Sequence, residues 1–166
     1  MGVAAVLRPG VPMGFIDGVP FVAALGAAEA MGARVAWPHD VVGENGEPLA
    51  HVATRAGYDD EGIYVTCELE GDAAGEAAMD AAVARVDAWA AKVAAGSKAG
   101  PLAAVLEEYF DACLLMGKPV AVVRNDGTIA CKGTLAGMDI WGRVTVKLVD
   151  GRDVEIAPGQ ASVRAL

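Results

Sequence analysis

The chain changes character near Gly117, and that change constrains the fold more than any other sequence feature. After it, Pro119–Arg124, Gly133–Ala136, Val144–Val149 and Val154–Ile156 alternate or are rich in β-branched residues. Asn125-Asp126-Gly127 and Asp150-Gly151 separate these runs as hairpin turns, with glycine supplying the left-handed backbone position. Short strands at this spacing imply a small barrel.

Before Gly117 the periods are mixed. Gly2–Arg8 reads as a strand closed by Pro9-Gly10, followed by a Gly/Pro loop from Val11 to Gly18. Pro20 opens a helix through about Met31, with Gly32 past its end. Val35–Trp37 and Val41-Val42 read as strands, and Leu49–Ala56 with Ile63–Glu70 as a hairpin. Asp72 is a candidate cap for a helix to about Ala95, in which Met79, Val83, Val86, Ala90 and Val93 share one face. Pro101 opens a further helix, with Leu102, Val105, Tyr109 and Cys113 on its apolar side, ending at Gly117.

Composition narrows the function classes. Of 166 residues, 54% are apolar, enough for a real core and against disorder. Aromatics are 5% and the net charge is −9, so neither base stacking nor phosphate neutralisation is supported and nucleic acid is not an expected partner. No apolar run reaches the roughly 20 residues of a membrane span, and Met1–Pro9 lacks the pattern of a secretory signal. No membrane association is expected. Cys67, Cys113 and Cys131 form no Cys-x-x-Cys pair, which fits reduced thiols and a cytoplasmic protein.

Within this frame lies Arg34-Val35-Ala36-Trp37-Pro38-His39-Asp40, a short apolar strand running into Trp-Pro-His-Asp. The tetrapeptide, and the order strand, helix, strand, hairpin, helices and all-β end, resemble the biotin protein ligase family of the biotin/lipoate ligase superfamily, whose signature is Trp-Pro-Asn-Asp. The resemblance implies an α+β fold. A partial ligase-like domain, a mixed sheet with helices, would occupy residues 1–116, and an SH3-like β-barrel residues 117–166. It also implies that the chain starts after the family's N-terminal portion, whose Gly-Arg-rich loop closes over biotin and the adenylate.

Measured against that family, the chain departs where the chemistry is demanding. No Gly-Arg-Gly-Arg sequence occurs. His39 stands at the usual asparagine, Pro48 at the family's lysine and His51 at the glycine of Lys-Leu-Ala-Gly. Glu68 and Glu70 fall in the strand that reads Gly-x-Gly-x-Asn. Activating biotin brings a carboxylate against a triphosphate, so cations and backbone donors are required, usually with Mg²⁺. Proline offers no N–H, and two glutamates add repulsion of roughly a few kcal/mol at about 4 Å. The expectation is a degenerate, non-catalytic relative that binds a protein or small ligand. Biotin or ATP would be bound only if ligase function were retained.

The candidate ligand-binding residues are Trp37, His39, Asp40 and His51. Trp37 would pack or stack, and Asp40 would accept hydrogen bonds or hold a cation. Three alternatives stand beside this reading. One is an active or split ATP-dependent ligase. A second is a metal- or pH-responsive protein in which His39, Asp40 and His51 meet across strands. The third, a Cys67 nucleophile, is weaker, because a strand cysteine is usually a small buried hydrophobe. Met13, Phe15 and Ile16 either cover the core or face a partner. An unpaired sheet edge would invite a second copy of the chain or a separate protein partner, making a homodimer an expected state.

Overall fold

Alternating burial along two runs of the chain builds the centre of the first sheet. In the computed structural model, which describes residues 2–166, β4 (Pro48–Asp59) and β5 (Gly62–Glu70) form one long hairpin. The expected loop of Gly57–Gly62 contracts to Asp60-Glu61, with Asp59 paired to Gly62 and Gly62 at φ +107°. Val52, Val65, Cys67 and Leu69 point to the core, while His51, Glu68 and Glu70 point to solvent.

Around the hairpin lie β1 (Gly2–Leu7), β2 (Arg34–Ala36) and β3 (Asp40–Val42), in the order β1-β5-β4-β3-β2. All strand pairings are antiparallel, which corrects the expected mixed sheet. The parallel contact near this sheet is an isolated bridge from Val35 to Cys113. That bridge and the Leu114 N–H to Val35 carbonyl bond, 2.9 Å, cover the β2 edge.

Helices α1 (Val19–Met31) and α2 (Glu76–Ala94) cover the buried face. Residues Val19 through Ala28 of α1 are all buried, so this is a core helix rather than an amphipathic one. Its small residues let α2 come close: a Cβ on Gly26 would lie 2.6 Å from the Ala81 carbonyl oxygen. The Met13–Met31 segment, including a 3-10 turn at Met13–Gly18, is apolar and long enough to cross a membrane, but here most of it is buried inside the fold.

Two helix boundaries differ from the sequence reading. The residue capping α2 is Gly75, not Asp72. The helix expected from Pro101 is reduced to α3 (Leu106–Ala112). Tertiary bonds hold the preceding turn: the Leu102 N–H donates to the Ile140 carbonyl at 2.9 Å, and Trp89 Nε1 donates to the Pro101 carbonyl at 2.7 Å. At its other end Cys113 is extended and bridges to Val35.

The second sheet contains β6 (Pro119–Arg124), β7 (Ile129–Met138), β8 (Val144–Leu148), β9 (Asp153–Ile156) and β10 (Ala161–Ala165), in the order β10-β6-β7-β8-β9. Its edge strands β9 and β10 share no ladder among the described residues, so the sheet is open and the expected barrel closure is absent. Residues 157–160 turn directly from one edge to the other with a single Pro158–Ala161 bridge. Buried side chains of both sheets, from Val52 and Val65 to Leu135 and Val146, form one continuous cluster.

Candidate functional site

The turn between β2 and β3 is Trp37-Pro38-His39, with a cis peptide bond before Pro38. Trp37 is buried, and its Nε1 donates to the Gly142 carbonyl, in the β7–β8 loop of the second sheet, at 2.8 Å. It therefore packs and offers no open face for stacking. The Pro38 carbonyl accepts from the buried Tyr109 hydroxyl at 2.8 Å. Burial pushes the Tyr109 phenol well up, so it remains a neutral donor.

His39 projects from this turn against Phe21, edge to face, with ring centroids 5.7 Å apart. Its carbonyl accepts from the Val52 N–H at 3.2 Å. Burial, and secondarily the neighbouring His51, lower the His39 pKa, so the ring is neutral near pH 7. Its Nδ1 is buried without a hydrogen-bond partner among the described residues.

Asp40 and His51 lie elsewhere, on the outer face of the first sheet. They are directly opposite each other on β3 and β4, and His51 Nδ1 lies 2.5 Å from Asp40 Oδ1. Across the next ladder His51 faces Glu70, and Ala53 faces Glu68. The His39 and His51 rings are 5.5 Å apart between centroids. No group of three potential ligands among the described residues is arranged to hold a metal ion. Within the His39–Asp40–His51 trio, His51 Nδ1 is engaged by Asp40, and the His39 ring packs on Phe21.

A cleft of about 730 Å³ lies between the N-terminal end of α1 and two loops of the second sheet. Asp17, Pro20, Phe21, His39 and Thr54 form one side, and Trp141, Arg143 and Ala157–Gly159 the other. An Asp139 turn builds the second wall. Asp139 Oδ1 accepts from the backbone N–H groups of Trp141 at 2.9 Å and Arg143 at 3.0 Å. Asp139 Oδ2 accepts from Arg143 Nε at 2.7 Å, and Arg143 Nη1 lies 3.3 Å from Glu155 Oε1. Trp141 is half-exposed and meets Phe15 edge-on.

Of the four sequence candidates, His39 lines the cleft, Trp37 buttresses its loop, and Asp40 and His51 lie outside its lining. Sequence reasoning missed Asp17, Trp141 and Arg143. The available signal was Asp139-Ile140-Trp141-Gly142, an Asp-x-x-Gly turn with an exposed tryptophan.

This two-sheet α+β scaffold has a biotin-protein-ligase-like fold. Among solved structures, the apo biotin protein ligase of Aquifex aeolicus superposes with a TM-score of 0.68 at 16% identity, over 99% of this chain and 82% of that one. The same organism's enzyme in complex with biotin and ATP gives 0.66 at 15% identity, over 99% and 78%. A further crystal structure of that ligase gives 0.65 at 16%, over 99% and 82%. No family model matches the sequence, and no curated protein matches it. At this identity the likeness is one of fold.

Proposed function

We propose that this chain is a non-catalytic binding protein on a biotin-protein-ligase scaffold, taking a small ligand in the cleft beside His39. One observation carries the reading: the register Asp40–His51–Glu70, with Glu68 one row along, lines the outer sheet face with carboxylates. Joining an acid to ATP concentrates negative charge and needs preorganised cations. Here the imidazole in the row is engaged by Asp40, and the proline at position 48 supplies no donor.

The Trp-Pro turn has a structural explanation that needs no ligase chemistry, because Trp37 and Pro38 each anchor another element. Thermal denaturation in the presence of biotin, lipoate or ATP with Mg²⁺ tests the reading. A ligand at 100 times its dissociation constant stabilises by about 2.7 kcal/mol. No shift is expected with any of the three, and a saturable shift with biotin and ATP together contradicts it.

The reading extends to a second copy of this chain pairing along β1. That edge is free of charge, proline and bulges, and Val6 is exposed on it. Light scattering at micromolar concentration should give a dimer; a clean monomer removes this part. Three free thiols, two of them buried, support a cytoplasmic setting.

A further inference from the structure

The charges around the cleft are unevenly paired. Arg143 is the guanidinium in the lining, and it is already held by Asp139 and Glu155. Asp17 also lines the cleft, is exposed, and has no hydrogen-bond or ion-pair partner among the described residues. His39 contributes no positive charge at neutral pH, because burial favours its neutral form. The N-terminal end of α1 adds about half an elementary positive charge, which offsets Asp17 only in part. Three carboxylates therefore stand against one guanidinium and a helix end.

The walls add a second preference. Trp141, 48% exposed, presents its ring at the mouth, with Phe21, Pro20 and Pro158 giving apolar surface behind it. An indole face attracts cations through its quadrupole and apolar planes by stacking. The volume, about 730 Å³, lies within the range of small-molecule sites.

We propose that the cleft binds a flat organic cation, a conjugated body bearing an amidinium, guanidinium or ammonium group, with Trp141 against the body and Asp17 as counter-ion. This rests on the binding-protein reading above and names its ligand class. It is opposite in charge to the substrates of acid activation.

The test is calorimetric titration of the full chain with benzamidine, benzamide and benzoate, which share a shape and differ in charge. Benzamidine should bind about tenfold more tightly than benzamide, the scale of a cation–π contact with one carboxylate, and benzoate more weakly than either. Asp17→Asn should bring benzamidine down to the level of benzamide. Trp141→Ala should weaken both benzamidine and benzamide. Circular dichroism of each variant should match the parent, because both side chains are solvent-exposed. Benzoate binding as well as benzamidine overturns the proposal, as does unchanged benzamidine affinity in Asp17→Asn. Absence of saturable benzamidine binding up to about 10 mM, an affinity weaker than roughly −3 kcal/mol, also overturns it. None of these outcomes alters whether ATP-dependent activation occurs, so failure here and failure of the non-catalytic reading are separable.

Discussion

Trp37 Nε1 donates to the Gly142 carbonyl across 2.8 Å, in a buried bond between residues 105 positions apart. This contact joins the Trp-Pro turn of the first sheet to the Asp139–Arg143 loop of the second. It also fixes the loop that carries Trp141 and Arg143 into the cleft. Trp37 therefore acts as a strut between sheets.

Trp37→Phe removes the donor and leaves a buried carbonyl unsatisfied. The expected cost is about 1–3 kcal/mol, read as a lower urea midpoint. A change below about 0.5 kcal/mol, the size of an ordinary surface substitution, would show that the strut is dispensable.

Gly142→Ala attacks the same junction from the other side. Gly142 has φ +84°, and an added Cβ would lie 2.6 Å from Phe21 Cζ. Left-handed strain costs roughly 1 kcal/mol and overpacking a further 1–3. The variant should lose about 2–4 kcal/mol in denaturant unfolding. An unaffected midpoint would mean that Phe21 is free to move, although its ring is packed between His39 and Tyr109.

How much was legible follows from where each signal resides. The β4–β5 hairpin and α1 were readable because period 2, proline and glycine are local signals. The Trp-Pro-His-Asp turn located one wall of the cleft through His39. The role of Trp37 was not readable, because its partner Gly142 lies 105 positions away, in the loop between β7 and β8. The shortened α3 was hidden for the same reason: a helical period runs from Leu102, but the Leu102 N–H is taken by Ile140. Asp17 and Arg143 were invisible as site residues, since only packing of the α1 end against the second sheet brings them to one cleft. Asp40 and His51 are cross-strand neighbours, and alternation turns them to the outer sheet face.

His39 makes stability depend on pH. Its folded pKa lies below that of the unfolded chain, chiefly through burial and then through His51. The unfolded state therefore binds the proton first, and stability rises with pH across this window. The contribution is complete above the unfolded value of about 6.5 and is lost as pH falls from there towards the lower folded pKa. His39→Gln should flatten the urea-midpoint profile between about pH 7 and 5. An identical slope in parent and variant would assign the dependence to other groups.

The non-catalytic function proposed above is open to a direct test. ATP–pyrophosphate exchange with biotin, lipoate or octanoate and Mg²⁺ provides it. The carboxylate-lined face of Asp40, Glu68 and Glu70 predicts exchange at the no-protein background for all three acids. Exchange that is acid-dependent, proportional to protein and abolished by removing ATP would contradict the account.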